Sequence, residues 1–224
     1  MTTDLDELYF SPQFPAILKD LEAYLAKERA HREKFYAELT EGRKAEFVNG
    51  EVIVHSPVPV VHLEARDNLS QLLRWHVQKH ELGFVAGQTT LCVFPRNDYE
   101  PDVCFFNAEK TAQIRPDQLK FPIPDFIAEV LSESTERLDR GIKFQDYQAH
   151  GVAEYWLVDP EKEVLEQYLL REGAYQLEQK SGTGEVRCQV VPGFTIPIRA
   201  LFDAQLNTEV LRQMLAQGGT EGTG

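Results

Sequence analysis

The stretch DFIAEVLSESTERLDRGIKFQDYQAHGVAEYWLVDP, residues 125–160, decides how this chain folds. Its first eight residues form a short, mostly apolar run around Glu129, which is strand character. A helix is expected over 139–150, with Gly151 just beyond its end. Residues 152–160 then return to strand. A strand–helix–strand run is a crossover unit, so the chain is expected to be α/β, with this segment re-entering a central sheet.

Working outward, KAEFVNGEVIVHSP (44–57) holds two alternating runs around Asn49-Gly50. That pair best supplies the two positive-φ residues of a two-residue hairpin loop. Upstream, residues 15–41 carry Ile17, Leu21, Tyr24, Leu25 and Phe35 at helical spacing among many charges, which predicts a surface helix ended by Gly42. Residues 60–81 place Leu63, Leu69, Leu72, Leu73, His76 and Val77 on one helical stripe, stopped at Gly83. Strand-like runs follow at 83–94, 101–106 and 125–132, the last two separated by a polar, proline-containing excursion, as adjacent strands of the sheet. Beyond the crossover, VLEQYLL, AYQLEQ and EVRCQVV read as a meander, and VPGFTIPI leads to a short closing segment, ALFD. The organisation expected is an N-terminal extension (1–14), one domain (15–204), and a helix remnant with a disordered tail (205–224), the tail beginning after Gln217.

At 224 residues the chain is long enough for one sizeable domain. No apolar run approaches the length that spans a bilayer, so membrane insertion is not expected. Residues 1–9 carry Asp4, Asp6 and Glu7 where a secretory signal needs a basic start, which makes the cytoplasm the expected compartment. Cys92, Cys104 and Cys188 are an odd number without a CxxC pair and read as reduced packing residues. A net charge of −13 repels a phosphate backbone at long range, so a nucleic-acid partner would need locally placed cations.

In DFIAEVLS, alternation puts Ile127, Glu129 and Leu131 on one face and Phe126, Ala128 and Val130 on the other. An ionised carboxylate between two large aliphatic residues needs a partner, and a metal ion is one; an Arg or Lys at the rim is the other. Asp102 leads directly into the apolar run 103–106, at the mouth of a neighbouring strand, and two carboxylates on adjacent strands can converge on Mg²⁺ or Mn²⁺. By itself, Pro101-Asp102 also reads as a turn dipeptide. Lys143 and Tyr147, four apart, share a helix face, with Arg140 one turn earlier. Lys143 could orient an attacking water and stabilise charge on phosphate oxygens. The alternative is a solvated lysine paired with Asp139 or Asp146.

The ordered series EPDVCFF, FIAEVLSEST, DRGIKFQDYQAHGVAEYWLVDP and VPGFTIPI resembles the Uma family of restriction-endonuclease-like proteins, over roughly residues 45–202. The resemblance implies a PD-(D/E)XK nuclease: a restriction-endonuclease-like core with a central mixed β-sheet flanked by helices, an N-terminal helix and a C-terminal β-meander. It implies Asp102 as the motif aspartate and Glu129 as the motif acid of a metal-dependent phosphodiesterase. The superfamily lysine two positions after the acid is Leu131 here, and the resemblance suggests Lys143 as its displaced substitute with Tyr147 beside it. Glu46, in KAEFVNGE, matches an early acidic position of the family and is a candidate third metal ligand, or else an outward hairpin residue. His62 stands where the family often has a histidine.

The implied activity is water attack on a phosphodiester of DNA, with Mg²⁺ or Mn²⁺ held by Asp102, Glu129 and Glu46, and with Arg137, Arg140, Arg66 and Arg74 joining Lys143 in one positive cleft. Cutting both strands would need two sites, hence a homodimer. A rival reading of another class is a non-catalytic interaction module of the same fold, its lysine lost with Leu131. A hydrolase of small phosphorylated substrates ranks last, since no glycine-rich phosphate loop supports it. His76 and His80 stand at zinc-ligand spacing without a third ligand and read as surface residues. Ser132, Ser134 and Thr135 read as turn and cap residues, and Trp75 and Trp156 as core or interface.

Overall fold

A computed structural model describes residues 5–39 and 44–216 of the chain. In order they form α1 (Leu5–Tyr9), α2 (Phe14–Ala37), β1 (Ala45–Val48), β2 (Glu51–Val54), α3 (Val60–Lys79), β3 (Gly83–Gly87), β4 (Leu91–Val93), β5 (Asp98–Tyr99), β6 (Val103–Asn107), α4 (Ala108–Thr111) and β7 (Lys120–Phe121). There follow β8 (Phe126–Val130), α5 (Glu136–Leu138), a π turn (Asp139–Lys143), α6 (Phe144–Ala149), β9 (Glu154–Asp159), β10 (Val164–Arg171), β11 (Ala174–Ser181), β12 (Glu185–Arg187), β13 (Thr195–Pro197), a 3₁₀ turn (Ile198–Leu201) and α7 (Ala204–Ala216). Gly42 and the tail after Gln217 lie outside the described residues.

The crossover in residues 125–160 is present: β8 and β9 pair in parallel, with the π turn and α6 between them. They are the middle of a mixed six-stranded sheet of order β11-β10-β9-β8-β6-β3. Both are buried on both faces, which is why they read as near-continuous apolar runs. Phe126, Ala128 and Val130 pack into a core with Leu69, Leu72, Leu73 and Val77 of α3 and with Ile196 and Ile198. Those four α3 side chains, each at most 1% exposed, contribute about 6–12 kcal/mol of transfer free energy before conformational entropy is counted. Ile127 and Leu131 enter a second core on the opposite face with Phe94, Tyr147 and Tyr155.

A second, five-stranded sheet of order β2-β1-β5-β4-β7 lies over that face. Its edge hairpin turns at Asn49 (φ 50°) and Gly50 (φ 87°), in the left-handed region that the Asn-Gly pair tolerates. β1 is wholly buried and β2 mostly exposed, as for a strand at a sheet edge. α2 is fastened to this sheet at its C-terminal half: Arg32 bonds both carboxylate oxygens of Asp98 (2.6 and 2.7 Å), and Phe35 packs on Phe47.

Several expectations are corrected. The strand run 83–94 breaks at Gln88–Thr90, sending β3 to the six-stranded sheet and β4 to the other. α3 stops at Lys79 because Glu81 takes the left-handed conformation (φ 53°), and Gly83 already belongs to β3. The helix after β8 starts at Glu136 and widens into the π turn before α6. β10 and β11 continue the meander from β9, but β12 leaves it to pair with β13. Where a short helix remnant was expected, α7 runs for 13 residues and seats the buried Val210 in the α3 core. Of the apolar residues on α2, only Phe35 is buried. No described helix is long and apolar enough to cross a membrane.

Candidate active site

Where β6 meets β8, the ladder ends at the pair Val103↔Ala128, and side chains take over from backbone. The Val130 amide donates to Asp102 Oδ2 (2.9 Å), and the Asp102 amide donates to Glu129 Oε2 (3.2 Å). These reciprocal bonds fix two carboxylates side by side, 4% and 2% exposed. Gly87, opposite Val103 on β3, permits this closeness: a Cβ there would stand 2.6 Å from the Asp102 carbonyl oxygen.

The π turn and α6 bring a third component. Asp139, Lys143 and Tyr147, spaced four apart, all face the sheet and are at most 2% exposed. Such widened turns recur at functional sites. The Lys143 ammonium lies 3.1 Å from Glu129, 3.0 Å from Glu46 and 3.2 Å from Asp139. Tyr147 donates its hydroxyl to Glu129 Oε1 (2.9 Å). Lys143 thus points into the acids rather than to solvent. Its pairing with Asp139, expected of a solvated helix lysine, occurs inside the protein.

Glu46 comes from β1 and is fully buried, its carboxylate engaged by Lys143, by His55 Nε2 (3.0 Å) and by the Glu100 amide (2.9 Å). Lys44, two residues earlier on the same face, places its ammonium 3.0 Å from Asp102 Oδ1. His62 of α3 approaches Asp102 Oδ2 at 3.4 Å. Sequence reasoning did not single out Lys44, His55, Glu100 or a buried Asp139. The hairpin held a signal for two of them: with Ala45 opposite Val54, Lys44 and His55 are the next pair out, on the face that carries Glu46.

These groups shift one another. Burial, with Asp139 and Asp102 adding to it, pushes the Glu129 carboxyl up to about 8 despite Lys143. Burial also raises Asp139, and brings Glu100 up to about 7. Against burial, Lys143 and His55 hold Glu46 down at about 2, and Lys44 and His62 hold Asp102 well below the carboxylate range. Although burial opposes its charge, Lys143 is kept firmly protonated by Glu129, Glu46 and Asp139. A lysine so held donates hydrogen bonds; it does not accept a proton.

Lys44, His55, His62, Gln88, Asp102, Glu129, Asp139 and Lys143 line an open cleft of about 400 Å³. Glu46 and Tyr147 do not line it; they brace Lys143 and Glu129 from behind. A neighbouring groove of about 370 Å³ shares Asp102 and Gln88 and is lined by Arg66 and Arg74. Arg140, expected in the cleft, turns away to bond Glu166 (2.9 and 3.0 Å) and Glu136 (2.8 Å). Asp146 serves Asn97, Tyr99 and His150 instead. Ser132 bonds only Ser134 and Thr135 through its hydroxyl, as a turn residue does. The rings of His76 and His80 lie 4.6 Å apart and tilted by 48°, away from this cleft.

Among the described residues no three or more His, Cys, Asp or Glu are gathered into a ready-made metal centre. The cleft still suits a hard cation. Three acids line it, Asp102, Glu129 and Asp139, which supply only oxygen donors, and Asp139 Oδ1 has an ion-pair contact but no hydrogen bond; Glu46 and Glu100 are buried behind them. Magnesium-type ions need only one or two protein carboxylates, completing their shell with water and phosphate oxygens.

A mixed sheet with helices on its faces, an acid at a strand mouth, a second acid on the adjacent strand and a buried lysine define a restriction-endonuclease-like α/β protein. The chain belongs to the Uma2 family, described as "Putative restriction endonuclease", whose model matches residues 32–199. Among solved structures it is similar to that of "a putative nuclease belonging to DUF820 from Anabaena variabilis ATCC 29413", with 16% identity, TM-score 0.65, and coverage of 76% of this chain and 96% of that one. At that identity the likeness shows the fold. No curated protein matches the chain.

Proposed function

We propose that the chain is a divalent-metal-dependent endonuclease acting on DNA, with Asp102 and Glu129 as the metal-holding pair. The observation that carries this is the Lys143 ammonium buried among Glu46, Glu129 and Asp139 at the floor of an open cleft, with Asp102 alongside. Nuclease family membership supports it. When bound, Mg²⁺ or Mn²⁺ supplies Lewis acidity toward a phosphate oxygen and an attacking water.

The chain's own residues do the rest. Asp102 and Glu129 present oxygens from two adjacent strands, held in place by the Val130 amide and by Tyr147. Lys143, kept charged, orients the water and donates to phosphate oxygens as their charge grows. Glu46 acts behind the cleft, positioning Lys143 between itself and Glu129. Arg66, Arg74 and Lys44 are the local cations that admit a phosphate backbone to a chain of net charge −13. Because the salt slope scales with the number of phosphate contacts, binding that rests on so few cations weakens only moderately with salt. Double-strand cleavage calls for a homodimer. Three buried free thiols suit work in a reducing cytoplasm.

The test is a calorimetric Mn²⁺ titration of the full chain, of Asp102→Asn and of Glu129→Gln, followed by cleavage assays on plasmid and oligonucleotide DNA. Binding by the wild type that disappears in both folded variants, together with cleavage that needs Lys143, is the expected result. A folded wild type that binds no Mn²⁺, with or without DNA, would instead favour the non-catalytic interaction module.

A further inference from the structure

Seven of the fifteen exposed large apolar side chains among the described residues fall within residues 5–25. On α2, Leu18, Leu21 and Leu25 are 42–49% exposed and Tyr24 is 72% exposed; on or beside α1, Tyr9 is 63% and Phe10 77% exposed. Leu18, Leu21 and Leu25, at i, i+3 and i+7, form a single stripe, and Tyr24 widens it. Tyr9 extends the stripe past the first turn of α2 through ring contacts with Phe10 and Phe14 (5.2 and 5.6 Å). The stripe stays largely open: α2 buries nothing before Phe35 and first meets the five-stranded sheet at Glu28, which bonds Arg96, and at His31, which bonds the Gly50 carbonyl.

We infer that this arm is the surface through which two copies of the chain associate. The six side chains leave open on the order of 700 Å² of apolar area, close to the roughly 800 Å² per partner of a standard interface. A heptad-spaced stripe on one helix is also self-complementary, so a two-fold pairing sets the same residues against each other around Leu21. The arm precedes the residues that the family model matches.

Sedimentation equilibrium of the full chain at tens of micromolar gives the first result: a mass twice the 25.6 kDa of the monomer. The double variant Leu21→Glu with Leu25→Glu should sediment as a monomer while keeping the wild-type circular dichroism and urea midpoint. Leu21→Cys should cross-link to itself on mild oxidation, since the three native cysteines are buried. A wild type that is monomeric under these conditions overturns the inference, as does a dimer that survives the double variant. Monomeric wild type that co-sediments with phosphatidylcholine–phosphatidylglycerol vesicles would assign the stripe to a membrane surface instead, and would equally overturn it.

Discussion

Replacing Lys143 by Met tests the buried charge cluster without any assumption about substrate. Methionine fills nearly the same volume, so packing is preserved, but three carboxylates within 3.2 Å lose their cation. Removing one partner of a buried pair costs about 3–5 kcal/mol, because the remaining charge stays desolvated and uncompensated. Against a total stability of roughly 5–15 kcal/mol this is a large fraction. With a urea slope of about 2 kcal/mol/M, the midpoint should fall by about 2 M.

The loss should also depend on pH in a defined direction. The Glu129 carboxyl is already raised to about 8 by burial, above its unfolded value. Its favourable contribution is therefore complete below the unfolded pKa and disappears as pH rises through about 8. Without Lys143 the folded pKa rises further, so the variant should be closer to wild type at pH 5 than at pH 8. Adding Glu129→Gln should restore part of the loss, as expected for groups in direct contact. Urea unfolding at the two pH values measures all of this. A Lys143→Met protein within about 1 kcal/mol of wild type at pH 8 would refute the view that the ammonium neutralises these acids.

Gly87→Ala should destabilise the fold by about 1–3 kcal/mol and weaken Mn²⁺ binding, because the new methyl meets the Asp102 carbonyl oxygen at 2.6 Å; thermal unfolding and calorimetry read the two effects. Lys44→Met should tighten Mn²⁺ binding by freeing Asp102 Oδ1, whereas Lys44→Arg should not; weaker binding in the methionine variant would assign Lys44 a structural role. Arg140→Ala should leave DNA cleavage unchanged, since its guanidinium faces Glu166 and Glu136. In the wild type, Arg140 and two other donors hold Glu166 at about 2 despite its burial, a contribution present above its unfolded pKa and lost as pH falls towards 2. The variant should lose that stability at pH 7 and converge on wild type in acid titrations followed by circular dichroism.

Much of the fold was legible in local patterns. Asn49-Gly50 dictated a hairpin because few other pairs accept two positive φ angles in succession, and the alternation in residues 126–131 placed Glu129 on a buried face whichever strands flank it. The spacing of Lys143 and Tyr147 likewise fixed their common face, since helical geometry is local. Three-dimensional pairing decided the remainder. Nothing in EVRCQVV distinguishes a partner in β11 from one in β13, because strand partners are chosen by contacts far apart in sequence. Arg140 and Lys143 carry the same charge one turn apart; only the position of Glu166 on β10 drew one outward while Glu46 and Glu129 drew the other in. Lys44 at Asp102 is likewise a product of packing two sheets together, whereas His55 reaches Glu46 within a single hairpin. The sequence by itself determined which residues could be buried acids and cations. The tertiary structure decided which of them neutralise one another, because electrostatic partners in a desolvated interior are set by distances of about 3 Å that no linear spacing encodes.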